Sequence, residues 1–169
     1  MKAAIRYFTL GGNTEKLARK IGEILNIPVI DVYEPLKEDV DLLFLCTSVY
    51  AAGVDDKVKE FINNINVQVG QVVNISTAAI LQSTYKQVSK LLAKKGITMS
   101  PQEFHCRGSF GPLHAGHPNE QDLKDLEKFI KDGFDGIECQ IETEQLPENY
   151  EAEQTNQEPE NEESGENNE

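Results

Sequence analysis

The sequence predicts a doubly wound α/β sandwich of three layers, with a five-stranded parallel sheet in the order 2-1-3-4-5. Three observations carry this. Short apolar runs alternate with amphipathic stretches through the first 137 residues, and strand–helix alternation implies parallel strands joined by right-handed crossovers. Most of the runs lack a polar face, as strands covered on both sides do. Pro28 stands at the start of the second run, where a missing backbone donor suits an edge strand, and the 2-1-3-4-5 order puts that strand on the edge.

The predicted strands are AAIRYF (3–8), PVIDV (28–32), DLLFLCT (41–47), QVVNIS (71–76) and QEFHC (102–106). Between the first and second, Leu17, Ala18, Ile21, Ile24 and Leu25 form an apolar stripe at helical spacing. The link from Tyr33 to Asp39 is short for a crossover, so a helix of about one turn is expected there. Val58, Phe61, Ile62 and Ile65 repeat at i, i+3, i+4, i+7. Tyr85, Val88, Leu91 and Leu92 follow, with Gly96 as a candidate C-cap. The last stripe, Leu123, Leu126 and Ile130, begins after Asn119, a good N-cap, and stops near Gly133. All four stripes read as core packing.

The chain has 169 residues and a formal charge of -13, a length that suits one α/β domain. The charge is unevenly placed. From Glu138 to Glu169 there are 12 Glu and no Lys or Arg, which leaves 17 acidic against 16 basic residues in 1–137, a net of -1. The expected organisation is therefore a domain over 1–137 and an acidic tail over 138–169. Rich in Glu, Asn, Gln and Pro, the tail is expected to be disordered from about residue 140, because it cannot bury enough surface to offset its ordering entropy. It reads as a solubilising appendage, or alternatively as a docking arm for a basic partner. No basic surface suggests nucleic acid as a partner.

The N-terminal MKAAIRYFTL places Arg6 inside a short apolar run and does not match a signal peptide. The longest apolar stretch, around DLLFLCTSVYAAGV, spans about 14 residues, too few to cross a bilayer. A cytoplasmic protein without a membrane partner is expected. Cys46, Cys106 and Cys139 form no CxxC pair, which suits a reducing compartment.

In an open parallel sheet, ligands bind beyond the carboxyl ends of the strands where the strand order reverses, here between the first and third strands. The first turn, Thr9-Leu10-Gly11-Gly12-Asn13-Thr14, lies at that point. Gly11 and Gly12 permit positive φ and close backbone approach, successive amides can form a concave nest, and the following helix adds the positive end of its dipole. The Thr9 and Thr14 hydroxyls and the Asn13 amide supply further donors. Such a turn suits a terminal phosphate group. A dinucleotide fingerprint and a nucleotide-triphosphate loop both require glycine and lysine spacings that are absent. A phosphoacceptor receiver domain would need acidic strand ends, but these read Phe8-Thr9 and Cys46-Thr47.

The run Tyr7-x-Thr9-x-x-Gly12-Asn13-Thr14-x-x-x-Ala18-x-x-Ile21 resembles the phosphate loop of the flavodoxins, FMN-binding electron carriers. The resemblance covers roughly 1–137 and implies a flavodoxin-like fold. The chain departs from the family pattern at Arg6, where an apolar residue is usual, and at Leu10 and Gly11, where Gly and Thr are common. The resemblance implies that the flavin ring lies by the loop after the third strand, TSVYAAGVDDKV, with Ser48, Tyr50, Ala51 and Gly53 as contacts. Tyr50 would stack on the ring or, alternatively, anchor its own loop. Thr77, Ala78 and Ala79 after the fourth strand would meet the pyrimidine edge, and Cys106, Arg107 and Gly108 after the fifth complete the expected contact set.

The segment FHCRGSFGPLHAGHPNE (104–120) follows the fifth strand, and its loop of about 12 residues is long enough to suggest a functional role. Arg107 near the flavin would favour the reduced, negatively charged ring. A zinc reading of His105, Cys106, His114 and His117 is disfavoured, since successive strand residues point to opposite faces. Cys46 and Cys106 read as small apolar residues.

Three functions remain open. The first is an electron carrier working between a reductase and an acceptor protein, as a monomer or weak dimer, with no residue acting as acid or base. The second is an FMN-dependent NAD(P)H:quinone-type oxidoreductase acting on a small acceptor. The third is an interaction module without its cofactor. Shortness and the lack of a second nucleotide motif favour the carrier.

Overall fold

The computed structural model describes residues 1–50, 53–80, 83–134 and 137, with Tyr50 described by its backbone alone. The Tyr50 side chain, Ala51, Cys139 and the acidic tail lie outside the described residues.

The elements run β1 (Ala3–Tyr7), α1 (Asn13–Leu25), β2 (Val29–Asp31), β3 (Val40–Tyr50), β4 (Gly53–Val54), α2 (Asp56–Asn64), β5 (Val69–Ala78), α3 (Tyr85–Lys94), β6 (Met99–Arg107) and α4 (Glu120–Gly133). The long strands pair in parallel in the order β2-β1-β3-β5-β6. This is the predicted order. The edges are β2, entered through Pro28, and β6, which accommodates Pro101.

Strand alternation divides the core into two layers. Along β3, Leu42, Phe44 and Cys46 join Ile5, Leu17, Ile21, Val73, Ile75, Leu126 and Ile130 under α1 and α4. Leu43 and Leu45 turn the other way, to Val58, Ile62, Val72, Val88 and Leu92 under α2 and α3. Each large aliphatic side chain so buried contributes roughly 1.5–3 kcal/mol. The helical stripes therefore dock where their spacing predicted, and Asn119 caps α4 in a reciprocal capping box with Asp122.

Two predictions about the connections require correction. Ser48–Tyr50, read as loop, instead extends β3, which folds back on β4 through the antiparallel pairs Val49↔Val54 and Tyr50↔Gly53. Val49 and Tyr50 are good strand formers, and β4 gives them a ladder.

The second correction concerns the link after β2, which forms no helix. The Asp31 carboxylate accepts a hydrogen bond from the Tyr33 amide at 2.8 Å, making a turn, and Pro35 disfavours helical geometry at Glu34. Arg6 stabilises this irregular backbone. Its side chain lies on the face of β1 that carries Phe8 and is only 6% exposed. Its Nε donates to the Glu34 carbonyl at 2.9 Å, Nη2 to Pro35 at 3.0 Å and Nη1 to Ile5 at 2.9 Å. Burial lowers its pKa to about 10, opposed by the charges of Glu34 and Asp31, so the guanidinium remains cationic at neutral pH. Leu36 completes the layer beneath. Arg6 thus supplies to these carbonyls the donors that a helix would have provided internally.

Candidate functional site

The loops after β1, β3, β5 and β6 gather at the carboxyl edge of the sheet. After β1 the Phe8 amide still pairs with the Cys46 carbonyl at 3.0 Å, so the chain leaves the sheet only at Thr9. Gly12 then adopts φ 78° as the N-cap of α1. An L-side chain would be strained there, and because glycine caps with no side chain, the first-turn amides of α1 are not capped by it.

The site residues expected on this turn divide into two sets. Thr14 is fully buried and its hydroxyl lies 3.0 Å from that of Thr77, joining α1 to β5. Asn13 Nδ2 donates to the Ser109 carbonyl at 2.9 Å, joining α1 to the loop after β6. Thr9 Oγ1 and Ser48 Oγ, by contrast, are buried without any hydrogen-bond partner. Among the described residues they are the only such side-chain atoms. A buried hydroxyl left unsatisfied costs roughly 1–3 kcal/mol. Both lie at the carboxyl ends of β1 and β3, where the strand order reverses.

The surrounding polar groups are satisfied, which sets these two apart. Thr47 Oγ1 donates to Thr84 Oγ1, and Thr84 Oγ1 donates to Asn74 Oδ1, each at 2.9 Å within the interior. Asn74 Nδ2 in turn donates to Glu103 at 2.9 Å, which also accepts from the Ser83 hydroxyl.

At the end of β5, Ala78 is buried and Ala79 half-buried. Their carbonyls accept from the Gly108 amide at 3.3 Å and from Arg107 Nη1 at 3.4 Å. Gly53 lies in β4 beside Gln87, whose Oε1 accepts from the Val54 amide at 2.7 Å. Gly108 is closely packed: a Cβ there would lie 3.1 Å from Thr77 Cβ and 3.4 Å from Asn13 Nδ2.

Cys106 turns into the core under α4, and burial pushes its thiol up to about 12, with a further contribution from Asp122. Burial also raises the Cys46 thiol. Both are held protonated and unreactive. His105 faces the other side of β6, 3.1 Å from the Ser76 hydroxyl, and its pKa is lowered by burial and by Arg107. A cleft of about 290 Å³ runs along this strand end between Arg107 and Asp125. Among the described residues no three His, Cys, Asp or Glu stand together as metal ligands.

Sequence reasoning missed how the loop after β6 is held. Phe110 and Leu113 bridge across the tip, the Ser109 amide and hydroxyl both donate to the His117 carbonyl, and His117 Nδ1 donates to Asp122 at 2.6 Å. The rim is apolar: Leu10, Ile80, Phe110 and Leu113 are all exposed on these loops. No helix among the described residues is long and apolar enough to cross a membrane.

No protein-family model matches the sequence. The uncharacterized protein MJ0298 of Methanocaldococcus jannaschii is 32% identical over 146 residues, covering 78% of this chain and 97% of that protein. This chain belongs to the MJ0298 family. Among solved structures, a flavodoxin from the domain Archaea superposes with TM-score 0.61 at 16% identity, covering 78% of this chain and 95% of the other. Oxidised flavodoxin 1 from Bacillus cereus gives 0.56 at 14% identity, covering 76% and 94%. For this MJ0298 family member the fold is therefore flavodoxin-like, with a turn in place of the helix after β2 and a hairpin after β3.

Proposed function

We propose that the carboxyl edge binds FMN and that the chain is an electron carrier between redox proteins in the cytoplasm. The observation that carries this reading is the pair of unpartnered hydroxyls, Thr9 Oγ1 and Ser48 Oγ, at the strand-order reversal beside the open first turn of α1. A ligand with oxygens or polar ring atoms at that point offsets their desolvation cost. In this reading the backbone from Thr9 to Thr14 holds the phosphate, and Ser48 meets the remainder of the flavin. Tyr50, Ala51, Gly53, Thr77, Ala78, Ala79, Arg107 and Gly108 surround the ring, while Cys106 supports the end of β6 from within. When bound, FMN supplies the capacity to accept and release electrons. The protein's own residues bind, orient and tune it. Arg107 favours the more negative, reduced ring, and Leu10, Ile80, Phe110 and Leu113 form the apolar rim against which a partner docks.

The test is anaerobic reconstitution with FMN, followed by NADPH and then NADH with no other protein present. A bound flavin that stays yellow until a reductase is supplied supports the carrier. Bleaching by pyridine nucleotide alone replaces it with the oxidoreductase reading, and failure to bind FMN overturns both.

A further inference from the structure

The loop after β6 is joined at both ends to rigid structure through a continuous chain of hydrogen bonds. Asn13, next to the left-handed Gly12, donates to the Ser109 carbonyl at 2.9 Å. Ser109 then donates twice to the His117 carbonyl, from its amide at 2.9 Å and its hydroxyl at 2.6 Å. The His117 ring donates to Asp122 Oδ2 at 2.6 Å, and the same oxygen accepts from the Asn119 amide at 2.7 Å in the capping box of α4. Asn13 and Ser109 are 96 residues apart in sequence. The close packing at Gly108 brings the start of this loop against both Thr77 and Asn13 Nδ2.

We propose that this loop is a clamp that holds the phosphate turn in its binding shape, with Asn13, His117 and Asp122 as positioning residues. The proposal rests on the FMN reading and deepens it: the clamp acts on the phosphate end of the ligand, because it holds the turn at Asn13, beside the amides that would meet a phosphate. A nest of amides binds an anion well only if its shape precedes the ligand. The first-turn amides have Gly12 as their cap and no side-chain cap of their own, so their orientation depends on what anchors the turn. Thr14 anchors it to β5 on one side and the clamp anchors it to α4 on the other.

The experiment compares FMN with riboflavin, which lacks the phosphate, on the full chain and on His117→Ala, Asn13→Ala and the double variant. His117 lies at the far end of the clamp, and the clamp carries its loss to the turn through Ser109 and Asn13. The expected result is FMN affinity lowered roughly three- to tenfold by either single change, riboflavin affinity unchanged, and a double variant no weaker than the weaker single one. His117→Asn, which keeps a donor near the Nδ1 position, is expected to restore FMN affinity. Equal loss for both ligands, full additivity, or an effect of Asn13→Ala without one of His117→Ala overturns the clamp. Undiminished FMN binding in both variants does so as well. A wild-type chain that binds FMN and riboflavin equally also contradicts the clamp, whereas one that binds neither overturns the flavin reading and the clamp with it.

Discussion

The connections after β2 and β6 both leave the carboxyl edge of the sheet as irregular loops, and they resolve their stranded polar groups in different ways. After β2, one buried cation, Arg6, donates to three backbone carbonyls, and Leu36 fills the layer below. Among the described residues, no buried side-chain polar atom of that connection is without a partner. After β6 the loop ties itself to α1 and α4 through Ser109, His117 and Asp122, yet the two strand ends nearest the phosphate turn keep unpartnered hydroxyls at Thr9 and Ser48. The first connection is finished as structure. The second lies beside two hydroxyls that the fold leaves unsatisfied, which is why we propose that a ligand binds there. The difference shows that a sheet edge becomes informative about function when the strand ends beside its loops keep polar groups that the fold does not satisfy.

Breaking the finished connection has the largest expected effect. Arg6→Ala strands the Glu34, Pro35 and Ile5 carbonyls and is expected to cost about 3 kcal/mol, read as a lower urea midpoint. FMN affinity at temperatures where the variant remains folded should hold. A loss below about 1 kcal/mol would mean water satisfies those carbonyls equally well.

Gly12→Val attacks the open region instead. No neighbouring atom lies within 4 Å of the Cβ position, so the cost comes from φ 78° alone, about 1–2 kcal/mol. FMN binding is expected to be abolished as the turn relaxes. Stoichiometric yellow cofactor in that variant would place the phosphate elsewhere.

The smallest effect concerns His105. Because its pKa is lowered by burial and by Arg107, the unfolded chain binds that proton more readily, and stability falls as pH drops through the ordinary histidine range. His105→Gln should flatten that part of the melting-temperature profile. An unchanged profile would assign the acid sensitivity to other groups.

Much of the layered architecture was legible because its signals are local. The stripe Leu17, Ala18, Ile21 needs only helical spacing, Asn119 needs only the helix it caps, and Pro28 needs only the rule that a missing donor belongs at an edge. The left-handed turn at Gly12 was legible for the same reason, since two glycines between a strand and a helix permit few geometries. What escaped depends on partners distant in sequence. Arg6 was visible as a departure from the flavodoxin pattern, but its partners Glu34 and Pro35 lie 28 and 29 residues away. The extension of β3 was hidden because Ser48 gains its strand character from β5, and Val49 and Tyr50 gain theirs from β4. Asn13 was read as a donor to the ligand, and its bond to the Ser109 carbonyl, 96 residues away, was not foreseen. The unsatisfied state of Thr9 and Ser48 is a property of packing, which no local pattern records.

The most direct measurement of the central claim is a comparison of the wild-type chain with the double variant Thr9→Val, Ser48→Ala, melting each without flavin and titrating each with FMN. If the two hydroxyls are left for a ligand, removing them relieves a burial cost: the flavin-free melting temperature rises by a few degrees while FMN binding weakens at least tenfold. A flavin-free chain that melts lower than wild type and binds FMN as tightly would contradict the assignment of this edge as the flavin site.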